Sequence, residues 1–391
     1  MNKRERILAM LRGERPDVLP WCADLAYWID YLNDEKLMPE KYLQADNTLK
    51  SAEVNMGLAA PFNSPGLLQM HRDLNVGFYL QGYFPYDVIY DDTVSVETVF
   101  TDVPMGQLRT TTVKTPVGDM EEVWEYRFTT HSWGPKYHMV KGVEDIPRLK
   151  YLYEHTSYRA NYDTAEERVP LVDGIGVVLV YMPKAPIMDL ISLRAGIETV
   201  VDLLGEAPEE FEELLEVIER KHDEACEIAL RAPGECVMIP DNLSSGSIGR
   251  TLYRKYDMPY AKKWTARIRE AGKFSFVHLD GTLNPLLADT CEAGYDVIEG
   301  LTPRPMGDID YEEMRPLANS DKTILWGGIP SGLFDPAVPD EEFDAYVIKL
   351  IGQMVADGRS VLAVGDQVVP GTRPERIMRV NELVEQYGKM Q

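Results

Sequence analysis

The chain has 391 residues, 45% of them hydrophobic, which is enough for a sizeable buried core and too many for a disordered chain. A formal net charge of −24 and a pI of about 4.7 exclude nucleic acid and anionic membrane surfaces as general partners, because such a surface repels phosphate. No apolar run approaches the ~20 residues that span a bilayer, and Cys22, Cys226, Cys236 and Cys291 form no CxxC pair, which argues against a disulfide framework or a thiolate zinc finger.

The opening MNKRERILAMLRGERPD reads as a short amphipathic helix with Ile7, Leu8 and Leu11 on one face. It lacks a signal-peptide core, so a cytoplasmic protein is expected. Short apolar β-rich runs then follow at 17–25, 86–92, 169–181, 235–243, 273–281, 295–303, 322–330 and 359–367. They are apolar on both faces rather than alternating, which fits a parallel sheet covered by helices. Between them, 207–232, 256–272 and 339–358 read as helices, and 373–388 as a closing one. The first begins with Pro208 and acidic residues, and the next two end at glycines.

Eight such runs, most followed by a helix, predict an α/β fold of the (β/α)8 TIM-barrel type with an N-terminal helix. No GxGxxG turn follows the first run, which removes the usual reason to prefer a doubly wound sheet. The stretch 94–140, rich in Thr, Val and aromatics, breaks the rhythm. It contains a hairpin pattern with its turn near Pro116, Val117 and Gly118, and is expected to be an antiparallel excursion after the second strand. One domain spanning 1–391 is expected.

In such barrels the reacting groups sit at the C-terminal strand ends. Those ends carry Asp24, Asp91 and Asp92, Tyr181, Asp241 and Asn242, His278 and Asp280, Glu299, Trp326, and Asp366 with Gln367. Carboxylates crowded into a pocket of low dielectric must be protonated, paired with cations or bound to metal. A polar residue at any one strand end is ordinary, but a histidine among so many acids is not. His278, Asp280 and Asp241 are therefore the candidate catalytic groups. Tyr27, Trp28, Tyr181, Glu299, Trp326 and Asp366 are the candidate pocket wall, with core packing an equal account of the aromatic ones.

At this point the residues suggest a family. The opening MNKRERILAMLRGERPDVLPW, the central FVHLDGTLNPLLADTCEAGYDVIEGLTP, and the later WGGIP and GDQVVPGTRPERI resemble, in order and spacing, the uroporphyrinogen decarboxylase superfamily of (β/α)8 barrels. That superfamily also includes zinc-dependent corrinoid methyltransferases. The departures matter. The arginine-rich segment that follows the first strand in true uroporphyrinogen decarboxylases is PWCADLAYWIDYL here, without arginine, and a carboxylate-lined pocket repels an octa-acid. Porphyrinogen decarboxylation is not expected. The His-x-Cys pair and distant cysteine of the thiol-methylating members read His278-x-Asp280 and Asp366, hard oxygens in place of soft thiolates.

A third branch demethylates small methoxylated or methylated compounds and passes the methyl to a corrinoid protein. The resemblance to its zinc pattern of Glu, fourteen residues, Glu, twenty residues, His lands on Asn242, Asp257 and His278, with Asp241 beside the first as an alternative oxygen. Asp257 also reads simply as an acidic first-turn residue of a helix, worth ~0.3–1 kcal/mol against the helix dipole. The resemblance thus implies a methyltransferase that moves a methyl group from a small-molecule donor to a corrinoid carried by a partner protein, assisted by zinc. The chain has no DxHxxG corrinoid signature of its own. A homodimer is compatible with the family. Two other readings stay open: a metal-independent decarboxylase or lyase of a small acid using His278 and the aspartates, and a ligand-binding relative without chemistry.

Overall fold

The computed structural model describes residues 1–42, 65–79 and 82–390. The first helix, Lys3–Leu11, starts with a reciprocal capping box: Glu5 N–H donates to Asn2 Oδ1 and Asn2 N–H to Glu5 Oε2, both at 2.8 Å. In chain order the strands are β1 (Trp21–Cys22), β2 (Tyr86–Tyr90), β3 (Ser95–Val103), β4 (Gly106–Lys114), β5 (Met120–Arg127), β6 (Ser132–Tyr137), β7 (Thr156–Ala160), β8 (Leu179–Tyr181), β9 (Cys236–Leu243), β10 (Phe274–Leu279), β11 (Val297–Leu301), β12 (Ile324–Pro330) and β13 (Ser360–Gly365).

Seven of them form one curled, wholly parallel sheet in the order β1-β13-β12-β11-β10-β9-β8, compatible with a TIM-like barrel. Every residue of β11, β12 and β13 is buried, as continuous apolar runs in a helix-covered sheet must be. Helices Pro208–Arg231, Met258–Glu270, Leu286–Glu292, Tyr311–Ala318 and Asp340–Asp357 make the crossovers, and Pro374–Tyr387 closes the series. Asp340–Asp357 ends where Gly358 takes φ +70°, the left-handed stop that the sequence pattern requires.

One strand expectation is corrected. The run 86–92 does not join the parallel sheet: Tyr86–Tyr90 pairs antiparallel with Thr156–Ala160 in a separate two-stranded sheet. The burial explains why, since Val88 and Ile89 are exposed, whereas Val76, Phe78 and Tyr79 are wholly buried. Single parallel bridges join Cys22 to Gly77, Phe78 to Gly176 and Tyr83 to Val180, so this aromatic stretch touches both edge strands, β1 and β8. Asp91 goes with the corrected strand. It hydrogen-bonds to the half-buried His155 and to Thr93.

Strands β3 to β6 form a four-stranded antiparallel meander, and its β4–β5 turn lies at Thr115–Gly118, where Gly118 N–H donates to Thr115 O at 3.1 Å. One face buries Arg109, Val113, Met120, Glu122 and Trp124. The sheet is tied to helix Ala26–Asp34 through Asp34, whose Oδ2 accepts from Tyr126 Oη at 2.5 Å and meets His131 Nδ1 at 2.9 Å. Among the described residues, no helix is long and apolar enough to cross a membrane.

Candidate active site

The parallel strands bring His278, Glu299 and Asp366 together, because His278 lies late in its strand, Glu299 is its register partner on the next strand, and Asp366 lies just beyond its own. His278 is the fifth residue of β10, in register with Glu299 of β11, and Asp366 follows the last residue of β13. His278 Nδ1 and Glu299 Oε1 are 2.6 Å apart, with Glu299 completely buried and the imidazole 13% exposed. On the other side of the ring, Nε2 faces Asp280 Oδ1 at 3.9 Å and Asp366 Oδ1 at 3.8 Å. Both of those carboxylates are about one-third exposed, so the open side of the imidazole is the wet side.

The backbone is shaped for this arrangement. Gly300 sits at φ +80°, and a Cβ there would stand 2.5 Å from His278 Cε1 and 2.7 Å from Nδ1. Only a glycine leaves room for the ring this close to the β11 backbone. Asp366 takes φ +70°, an uncommon conformation for a residue with a side chain, and it turns the chain as β13 ends.

The electrostatics follow from burial and from the crowding of acids. Burial pushes the His278 imidazole down, but Glu299, Asp280 and Asp366 together outweigh it and hold the group up at about 10. Burial, with Asp280 and Glu299 adding to it against His278, pushes Asp366 up to about 6. Burial first, then Asp366, Asp24, Asp280 and Asp30, raises Tyr27; burial, then Glu299 and Asp24, raises Tyr181. These tyrosines are therefore neutral at physiological pH.

The loops after β1 and β13 lock together around the acids. Asp24 Oδ1 accepts from Ala26 N–H at 2.9 Å, Asp24 O from Val368 N–H at 2.9 Å, and Gln367 Oε1 from Tyr27 N–H at 3.1 Å. Trp326 is fully buried against Tyr79 at 4.7 Å and Phe276 at 5.8 Å between ring centroids. Trp28 is buried in the core, with its indole Nε1 unpartnered.

The metal residues expected from the sequence sit differently: His278 groups with Asp280 and Asp366, and Asp257 has Asp241 and Lys184 as its charged neighbours. Asn242 is exposed, with φ +53°, near the end of β9. Asp257 is buried at the end of a π-helical turn, Tyr253–Asp257, and its carboxylate caps no helix amide. Its charged neighbours are Asp241 and Lys184, and burial raises it well above the usual carboxylate range. Asp241 belongs to that second cluster too: its Oδ1 accepts from Ala185 N–H at 2.7 Å, and burial pushes it up to about 6. Among the described residues, the grouping whose donor atoms all lie within 4.8 Å of one another is His278, Asp280 and Asp366.

Tyr79 is the site residue that sequence reasoning missed. Its hydroxyl is buried without a hydrogen-bond partner, and the charges acting on it include Glu299, Asp24 and Asp366. The apolar, glycine-interrupted run Val76–Tyr79 was the available signal. Lys184 and Gly300 were missed for another reason, since only their neighbours in space give them a role.

The sequence profile of the family described as uroporphyrinogen decarboxylase (URO-D) matches residues 134–387. The chain belongs to the URO-D family. The match includes β8 to β13, and so every residue of the His278 cluster. A solved structure described as a methyltransferase from Methanosarcina mazei aligns over 99% of both chains with a TM-score of 0.58 and 13% identity, a likeness of fold. An N-acetyl-D-glucosamine-6-phosphate deacetylase from Mycobacterium smegmatis aligns over 60% of this chain and 48% of its own at 14% identity, but its TM-score of 0.24 carries no weight. No curated protein sequence matches the chain.

Proposed function

We propose that this URO-D family member is a methyltransferase that takes a methyl group from a small methylated or methoxylated compound and delivers it to a corrinoid carried by a separate protein. The observation that carries the reading is the two-sided His278. Its Nδ1 is engaged by the buried Glu299, and its Nε2 is turned toward Asp280 and Asp366 at the open end of the sheet. In this reading Val76–Tyr79 and Tyr83 belong to the eighth stave of a (β/α)8 barrel.

The donor set fits a divalent ion. A carboxylate on the far nitrogen of a ligating histidine fixes its tautomer and orients the ring, and Glu299 stands where that partner is needed. Tetrahedral zinc ligands lie about 3.3 Å apart, so the observed 3.8 and 3.9 Å ask for only a small closure. His278 Nε2, Asp280 and Asp366 would hold the ion, in place of the Asn242–Asp257–His278 set suggested by sequence spacing. Zinc held there supplies Lewis acidity at the donor's heteroatom. The chain's own residues do the rest. Glu299 and Gly300 fix the imidazole, and Tyr27 and Tyr181 wall the donor with neutral rings.

The test combines full-length protein, zinc, cob(I)alamin and a panel of methylated and methoxylated compounds, with methylcobalamin followed by absorbance. Methylcobalamin formation that disappears in Asp366→Asn and His278→Ala supports the proposal. No transfer across the panel rejects it. A competing reading rests on the raised His278 pKa, which makes the imidazolium an acid that needs no metal and would serve a lyase or decarboxylase. Protein free of stoichiometric metal that nonetheless turns over a small acid would favour it.

A further inference from the structure

We propose that the donor bound at this site is cationic, a methylated ammonium compound, and not a methoxylated acid or a neutral ether; the inference rests on the methyl-transfer reading above. The first ground is charge. Asp24, Asp280, Glu299 and Asp366 surround the site, and His278 is the cation set among them. His278 is already committed to Glu299 at 2.6 Å. The charges that act most on Tyr27, Tyr79, Tyr181 and Asp366 are carboxylates, with the Cys22 thiol beside Tyr79 and His278 beside Asp366; none is a lysine or arginine. A divalent ion on His278, Asp280 and Asp366 would still leave carboxylates in excess. An anionic donor would enter against that field, while a cation would be drawn by it.

The second ground is independent of the acids' number. Among the described residues, the buried polar atoms here without a hydrogen-bond partner include two oxygens, Glu299 Oε2 and the Tyr79 hydroxyl, besides the indole Nε1 of Trp326. Glu299 and Tyr79 are completely buried, and Glu299 is the carboxylate that acts most on Tyr79. An unpartnered carboxylate oxygen in a dry site is costly unless positive charge arrives beside it. The third ground is the wall. Tyr27, Tyr79, Tyr181 and Trp326 bring aromatic rings to the same acids, and ring faces attract alkylammonium groups. Neutral ethers gain from neither the charge nor the ring faces.

The chemistry balances with this substrate. The C–N bond breaks with its electron pair returning to nitrogen, and the methyl carbon bonds to the cobalt of the reduced corrinoid. A quaternary ammonium then leaves as a neutral tertiary amine without requiring a proton or Lewis-acid activation, because its nitrogen has no lone pair to offer a metal until the methyl has left; with this donor an ion on His278, Asp280 and Asp366 would not act on the nitrogen. The product has lost the charge that held the donor, which favours its release.

The test is calorimetric binding to the full-length protein, with and without zinc. The probes are choline, its uncharged isostere 3,3-dimethylbutan-1-ol, and 4-methoxybenzoate. Choline is expected to bind at least tenfold more tightly than the isostere, and the benzoate more weakly than either. In the zinc-free protein, where loss of the ion cannot offset loss of the carboxylate, Asp366→Asn should weaken choline about tenfold and the alcohol by much less; Asp280→Asn should do the same. Equal affinity for choline and the alcohol, or tighter binding of the benzoate, overturns the inference. Methylcobalamin formed from 4-methoxybenzoate by a protein indifferent to choline removes this inference and leaves methyl transfer standing. Tenfold preference for choline with no methylcobalamin from any donor does the reverse.

Discussion

Glu299 and His278 form a buried pair whose two halves should fail differently. Replacing His278 by leucine keeps much of the side-chain volume but strands a carboxylate that is completely buried, with Oε2 already unpartnered. Stranding one member of a buried ion pair costs about 3–5 kcal/mol. Glu299→Gln removes the charge and keeps an acceptor for the imidazole, so it loses only the charge-assisted part of one hydrogen bond, about 1–2 kcal/mol. The double variant gives the decisive sign. Adding Glu299→Gln to His278→Leu removes the stranded charge and should restore about 2 kcal/mol, so the second substitution stabilises. Urea unfolding at pH 7.5 after chelation measures all four corners without a contribution from bound ion. If the double variant is less stable than His278→Leu, the pair is not the buried ion pair described here.

Gly300→Ala should displace the His278 ring, since the added Cβ meets it at 2.5 Å in a backbone region that disfavours side chains; a loss of about 1–3 kcal/mol in thermal unfolding and a steep fall in methyl transfer are expected. His71 is fully buried, and burial holds it down at about 4. Its neutral form stabilises the fold fully above the unfolded value of about 6.5, and that contribution, about 3 kcal/mol, is lost as pH falls toward 4. Asp366 and Asp241, raised to about 6, act with the opposite sign in an overlapping window, so the check is the difference in stability between the parent and His71→Gln across pH 4–7. Asp34→Ala removes the acceptor shared by Tyr126 and His131 and should cost about 2 kcal/mol, with faster proteolysis within 95–137 as the readout. Asp280→Asn should lower bound zinc below one per chain by elemental analysis, whereas Asn242→Ala should leave it unchanged.

Length, charge and the succession of double-sided apolar runs determined the parallel sheet, its crossover helices and the antiparallel interruption. Those features are local: a strand buried on both faces cannot afford polar alternation, and Pro208 and Gly358 mark helix ends by their own backbone chemistry. His278, Asp280, Glu299 and Asp366 were also legible, because strand-end position is a one-dimensional property. What the sequence could not decide was which strand ends meet. Tyr86–Tyr90 satisfied the apolar pattern yet pairs outside the parallel sheet, while Val76–Tyr79, too short and glycine-broken to stand out, lies between β1 and β8 and brings Tyr79 to the acids. Asn242 and Asp257 kept a metal-like spacing along the chain, but β9 ends with Asn242 facing solvent, and the π-helical turn carries Asp257 to Asp241 and Lys184. Metal-ligand and ion-pair contacts depend on a few ångströms, and only the register of the parallel strands and the path of the turns between them fixes distances on that scale.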